Sequence, residues 1–127
     1  MPVPSSFDYA VIRVVPHVER EEFINVGVIL FCRARRCLIT RLELDTRRLA
    51  ALAPDLDLAG VQDHLDLIPR ICAGGPGAVP FDQLNQAERF HWLVSPRSTV
   101  IQVSPVHCGL CTDPETALND LFEKFVR

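Results

Sequence analysis

The sequence predicts an α+β protein, with an antiparallel sheet of about four or five strands and helices mainly on one face. Two observations lead to this fold class. Three segments rich in β-branched and aromatic residues follow one another near the start, joined by short links. Capped segments with helical periodicity then occupy the middle and the end of the chain. Because 127 residues suit one hydrophobic core, we expect a single domain over residues 1–127.

The first three strands are predicted from apolar patterns of three kinds. FDYAVIRVV, residues 7–15, is rich in strand-forming residues and is ended by Pro16. INVGVILFC, residues 24–32, is apolar on both faces, which suits the middle of a sheet, and Gly27 within it marks a close approach or a bulge. CLITRLELD, residues 37–45, alternates as a half-exposed strand does. Their short links favour an antiparallel meander.

Three helices are predicted from their caps and spacing. Asp45 caps a short helix, and Asp57 caps a second one that Pro69 ends or bends. The terminal segment TDPETALNDLFEKFVR carries the clearest signal, with Asp113 as N-cap and Pro114 at the first helical position. We expect this last helix to dock on the sheet.

The region between the second and the last helix is predicted to supply the remaining strands. Asn85 and Glu88 form a capping box for a single helical turn. The aromatic run RFHWLV, residues 89–94, and TVIQV, residues 99–103, are the strand candidates.

Composition narrows the classes of function. A formal charge of −3 gives no support for nucleic-acid binding through the overall field. The start lacks the features of an export signal and no apolar run reaches membrane-spanning length, so we expect a cytoplasmic protein that does not insert into membranes. The five cysteines are then expected to be reduced thiols. No cofactor is predicted, and self-association is left open.

A metal site is the weakest of the candidate sites. Cys108 and Cys111 with the adjacent His107 offer a C-x-x-C turn, but tetrahedral zinc needs further ligands, normally from a second knuckle. A redox pair would need a helix beginning at the first cysteine, whereas the helix is predicted to begin after both. Buried or inert thiols are therefore the favoured interpretation.

Polar residues at predicted strand ends form the other candidate site. Loops at strand ends carry function on a rigid scaffold. If these side chains converge in one concave pocket, we expect the protein to be a small enzyme or a ligand-binding protein. The candidates are Glu22, Asn25, Arg97, Ser98, Gln102 and His107.

Two long motifs carry a resemblance that covers essentially the whole chain. REEFINVGVILFCR near the start and FHWLVSPRSTVIQVSPVHCGLCTDPETAL near the end resemble a small bacterial family of unknown function, the one numbered three thousand and thirty-seven. The matching motif residues are Glu22, Phe23, Asn25, Gly27, Ser95, Pro96, Arg97, Ser98, Gln102, Ser104, Pro105 and His107. The resemblance implies a threonine in many relatives at the position of Cys108, which weakens the zinc hypothesis further.

The resemblance implies a stand-alone cytoplasmic protein, from a family whose genes often neighbour a kinase similar to the HipA toxin kinases. It therefore favours a non-enzymatic interaction or regulatory protein, with a HipA-like kinase as its partner. The alternative is the small enzyme or ligand-binding protein that uses the polar candidates.

Overall fold

A computed structural model describes residues 3–96 and 99–127 of the chain. Within these residues it contains one antiparallel sheet and four α-helices, which confirms the predicted α+β fold class. The strands are β1 (Ser5–Val14), β2 (Ile24–Cys32), β3 (Cys37–Leu42), β4 (Ile101–Val103) and β5 (His107–Cys111). The helices are α1 (Thr46–Leu52), α2 (Leu58–Ala73), α3 (Gln86–Leu93) and α4 (Pro114–Phe125).

The sheet is built around the long first strand. Its order is β3-β2-β1-β4, so the predicted meander of three strands is confirmed. The other edge of β1 pairs with two short strands in turn. β5 lies along Ser5 to Tyr9, and β4 lies along Ile12 to Val14.

Gly27 serves both purposes that its position in the sequence predicts. A Cβ atom there would lie 2.6 Å from the carbonyl oxygen of Arg41, so only glycine lets β3 approach this closely. The β1–β2 register also shifts beside it, because Ile12 pairs with Gly27 whereas Arg13 pairs with Asn25. This bulge turns Asn25 toward α4, where its side-chain amide donates a hydrogen bond to the carbonyl of Phe125 at 3.1 Å.

The two faces of the sheet carry separate hydrophobic clusters. Three helices cover one face, where Leu49 of α1, Leu65 of α2 and Phe90 of α3 pack together. Helix α4 alone covers the other face, and its Phe122 is completely buried against Leu30. The helices thus lie mainly on one face, as predicted.

The predicted N-caps of α1, α2 and α4 are confirmed as helix starts. The carboxylates of Asp45 and Asp57 each accept a backbone N–H bond at 3.1 Å. Asp113 accepts a 2.6 Å bond from the hydroxyl of Thr116, and this bond holds the pKa of Asp113 below its usual value.

Three local predictions differ from the structure. The aromatic run predicted as a strand is helical, because the Asn85–Glu88 capping box begins the eight-residue α3 rather than a single turn. Of the two effects expected of Pro69, to end or to bend its helix, the first is excluded, because α2 continues to Ala73. Strand β5 was not predicted, although the predicted strand at residues 99–103 is confirmed as the short β4.

Among the described helices, none has both the length and the apolar character that crossing a membrane requires.

Candidate functional site

An apolar cleft of about 520 Å³ opens on the face that carries α1, α2 and α3. It lies between α2 and residues 99–103, and the 3-10 turns at Gly75–Ala78 and Phe81–Gln83 and the end of α3 contribute the remaining walls. This volume falls in the range typical of binding sites, which are mostly apolar with a few polar groups. Its apolar lining includes Val61, Leu67, Ile68, Val79, Phe81 and Trp92.

Three large apolar side chains of this lining remain open to solvent. Leu67, Val79 and Trp92 are 46%, 67% and 39% exposed. The Trp92 ring also packs at 4.3 Å, centroid to centroid, on the ring of Phe81. Because such side chains cost free energy when hydrated, their grouping around one cleft makes it a candidate binding surface.

Two polar residues of the cleft lining, His64 and Arg70, are exposed. Nδ1 of His64 lies 2.9 Å from the carbonyl oxygen of Gly60, which leaves Nε2 for another partner. Arg70 lies in the last turn of α2. Within residues 3–96 and 99–127 its guanidinium makes no ion pair.

A buried arginine holds the wall formed by residues 74–84. Arg89 is 8% exposed and donates from Nη1 to the carbonyl of Leu84 at 2.6 Å. At the other end of the wall, a Cβ on Gly74 would lie 3.3 Å from the Arg89 guanidinium, and the φ of +76° also favours glycine. Arg89 therefore ties the Leu84 end of the wall to α3 and lies close to Gly74 at the other end.

Cys72 lies beside this arginine at the end of α2. Burial raises the pKa of its thiol from 9.0 to about 12, and the positive charge of Arg89 opposes the shift only in part. Cys72 is therefore a packed, protonated thiol behind the cleft.

Two of the sequence-predicted polar residues lie in one row across the sheet. Asn25 and Gln102 are both register partners of Arg13, from β2 and β4 respectively. The Arg13 guanidinium stacks 4.1 Å from the ring centroid of Phe23, and burial lowers its pKa. Nε of Arg13 and Oδ1 of Asn25 are buried and have no hydrogen-bond partner within the described chain.

The other predicted polar residues lie elsewhere. Glu22 is exposed and pairs with Arg20 at 3.1 Å. His107 begins β5, with its ring 5.5 Å from that of Tyr9. Arg97 and Ser98 lie outside the described residues. Of the four candidates within them, Gln102 is the one that borders the apolar cleft, and its side-chain amide donates to the Thr99 carbonyl at 2.9 Å.

The thiols lie apart from the cleft mouth. Cys108 is exposed on β5, whereas Cys111 is buried beside Cys32 and burial raises the pKa of its thiol. In the part of the chain that the structure describes, no group of three or more histidine, cysteine or acidic side chains is arranged to hold a metal ion. The sequence candidate set of His107, Cys108 and Cys111 therefore has no observed geometry to support it.

The cleft was not predicted from the sequence. Its walls come from four separate segments, and Arg89 stands in the run that was interpreted as a strand. One feature of the α2 sequence could have indicated the cleft. Leu67 is an apolar residue outside the buried positions Val61, Leu65 and Ile71, and such a surplus residue indicates a second contact surface.

Comparison with known proteins identifies a family without an assigned activity. No curated protein and no solved structure gives a significant match to the chain. One family model, described as "Protein of unknown function (DUF3037)", matches residues 9–126. Since this match covers both motifs and nearly all of the sequence, the chain belongs to the DUF3037 family.

Proposed function

We propose that the protein is a non-enzymatic interaction protein that binds an apolar segment of a partner protein in the cleft on the α2 side of the sheet. The observation that carries this proposal is the group of exposed apolar side chains, Leu67, Val79 and Trp92, around one preformed opening. Protein partners commonly anchor through a few large apolar groups seated in such pockets.

A HipA-like kinase is the partner that we propose. The family resemblance supports this choice, because kinases of this kind are expected to be encoded beside members of the family. The cleft supports the mode of binding rather than the identity of the partner. The protein would then act on the kinase as a regulator, through binding alone.

Copurification tests this function. The full chain is coexpressed with the HipA-like kinase encoded beside its gene, and the kinase retained on the tagged chain is measured. Leu67→Asp and Val79→Asp each place a carboxylate in the apolar opening, so we expect at least a tenfold loss of retained kinase.

Leu110→Asp is the matched control. Leu110 is 74% exposed on β5 and does not line the cleft, so its substitution introduces the same charge away from the binding surface. Retention by this variant should equal that of the unaltered chain. Equal retention by all variants, or no kinase on the unaltered chain, would contradict the proposal.

A second candidate function is supported by the polar row of Asn25, Arg13 and Gln102. The Arg13 guanidinium is partly buried and its Nε has no hydrogen-bond partner within the described residues, nor has the amide oxygen of Asn25 beside it, so the two offer a donor and an acceptor to a small polar ligand. This is the ligand-binding protein or small enzyme that uses the polar candidates, with Asn25 and Gln102 beside Arg13 as its site.

A thermal-shift screen of small polar metabolites distinguishes the two candidate functions. If the polar row is the site, a compound that raises the melting temperature of the unaltered chain should no longer do so for Arg13→Gln and should still do so for Leu67→Asp. If no compound stabilises the unaltered chain, or if hits depend on Leu67 rather than Arg13, the second candidate fails.

A further inference from the structure

The outer edge of β4 lies beside the cleft and is open. In the order β3-β2-β1-β4, this strand is terminal and pairs with β1 on one side. No strand within the described residues pairs with its other side. Natural proteins usually shield such an edge, because its free N–H and C=O groups accept another strand.

The hydrogen-bond pattern shows which backbone groups face outward. The N–H of Val15 donates to the carbonyl of Val100 at 2.6 Å, and the N–H of Ser104 donates to the carbonyl of Val11 at 2.8 Å. Because alternate residues of an antiparallel strand face opposite edges, residues 100, 102 and 104 bond to β1, whereas Ile101 and Val103 direct their backbone groups away from it.

One of these outward groups already has a partner. The carbonyl of Ile101 accepts a 2.7 Å bond from the hydroxyl of Thr99. The described part of the chain supplies no hydrogen-bond partner for the N–H of Ile101 or for the N–H and C=O of Val103. Two donors and one acceptor therefore line this edge.

The side chains of β4 connect the edge to the cleft. Ile101 and Val103 pair with Val14 and Ile12, which belong to the cluster beneath α1, α2 and α3. A strand added beside β4 would place every second side chain on this same face of the sheet. That is the face on which the cleft opens, so its alternate side chains would meet the apolar lining.

The positive charge of Arg70 in the cleft lining indicates one further feature of the partner, a negative charge. Arg70 lines the cleft, is exposed and makes no ion pair within the described residues. A carboxylate is the group that a guanidinium binds best, through two parallel hydrogen bonds. A helical partner would satisfy Arg70 and the apolar lining, yet it would cover the free N–H groups of β4 without bonding to them.

We propose that the partner segment binds as an extended strand on the outer edge of β4, with alternate apolar side chains in the cleft and a carboxylate on Arg70. This deepens the proposed function and rests on the cleft being the partner-binding surface. The segment that binds there carries acidic residues and has apolar residues at every second position. It is recognised by main-chain pairing with β4 and by side-chain pockets in the cleft.

A display library of random nonapeptides, selected on the purified full chain, tests the mode of binding. The expected winners alternate apolar and other residues and carry an aspartate or glutamate. Winners with apolar residues at the three- and four-residue spacing of a helix, or no enrichment at all, would overturn the proposal.

Variants of the full chain then test each contact with the best-enriched peptide as the probe. Leu67→Asp and Arg70→Gln should each weaken binding roughly tenfold or more. Arg47→Gln is the control, because Arg47 is an exposed arginine on α1 that does not line the cleft, and it should leave the affinity unchanged. Equal affinities for Arg70→Gln and Arg47→Gln would overturn the role of the carboxylate.

Amide hydrogen exchange measured by NMR reads the main-chain pairing directly. Bound peptide should slow exchange at Ile101 and Val103, the two N–H groups that face outward, and should change that of Gln102 little because its N–H already faces β1. Unchanged exchange at both outward amides would overturn the strand-edge mode.

The kinase experiment separates this inference from the proposed function. If kinase retention depends on Leu67 while selected peptides have helical spacing, the edge mode fails and the proposed function stands. If no kinase copurifies while alternating peptides slow exchange at Ile101 and Val103, the kinase assignment fails and the edge mode stands.

Discussion

The two faces of the sheet are covered in different ways, and the difference locates the candidate site. On one face, the single helix α4 closes the surface, with Phe122 fully buried and the Arg41 guanidinium 4.1 Å from the centroid of its ring. On the other face, α2, the end of α3, two 3-10 turns and residues 99–103 border a cleft whose lining includes exposed apolar side chains. A face closed by one well-fitted helix stabilises the fold, whereas a face assembled from several segments retains room for a partner.

Cutting a large side chain from each face should produce unequal losses of stability. Phe122→Ala empties a completely buried site under α4, so we expect the free energy of unfolding to fall by about 3–5 kcal/mol. Leu67→Ala on the open face removes a half-exposed side chain, and a loss below about 1 kcal/mol is expected. Urea unfolding measures both. Similar losses for the two variants would mean that the cleft is as tightly packed as the α4 face.

Removing the arginine that holds the cleft wall should loosen the open face alone. Arg89→Met leaves the carbonyl of Leu84 without its donor, so we expect a loss of about 1–3 kcal/mol. Limited proteolysis should then cut within residues 74–84 sooner than in the unaltered chain. Arg41→Met is the comparison on the α4 face, and it should leave the rate of cleavage in this wall unchanged. Equal rates for Arg89→Met and the unaltered chain would refute the tethering role.

Alkaline pH should weaken the fold through the buried thiol behind the cleft. Burial raises the pKa of Cys72 from 9.0 to about 12, so the folded state keeps a proton that the unfolded state releases. The stabilisation that follows from this difference is fully present below pH 9.0 and is lost as the pH rises toward about 12. Over that range the free energy of unfolding should fall by at most about 1.4 kcal/mol per pH unit.

Two cysteine variants isolate that contribution. Cys72→Ala should make the decline of unfolding free energy above pH 9.0 shallower, whereas Cys108→Ala, at an exposed thiol, should leave it unchanged. Urea titrations at several alkaline pH values provide the comparison. An identical slope for Cys72→Ala and the unaltered chain would show that folding does not raise the pKa of Cys72.

The closed face could be predicted from the sequence far better than the open one. Local signals define β1, β2, β3 and α4: unbroken apolar runs, clean alternation, and Asp113 followed by proline. The helix α3 was misassigned because its aromatic residues favour strands, yet the capping box of Asn85 and Glu88 and burial of Phe90 and Leu93 on one side prevailed.

Strand β5 and the cleft depend on contacts that no local pattern encodes. β5 forms because β1 is long enough to pair with two strands along one edge, and because Gly109 leaves space for the ring of Phe7, which a Cβ would approach to 2.7 Å. The cleft needs the end of α2 and residues 99–103 to meet across the fold. The polar candidates were chosen by motif, and the sequence gave no sign that Arg13 of β1 lies between Asn25 and Gln102.

Hydrogen exchange on the full chain, alone and with the proposed HipA-like kinase partner, tests whether the open face binds and the α4 face does not. Exchange should be slower in residues 64–71 and 99–103 when the kinase is bound, and unchanged in residues 114–125. Slower exchange in residues 114–125, with none around the cleft, would contradict this prediction.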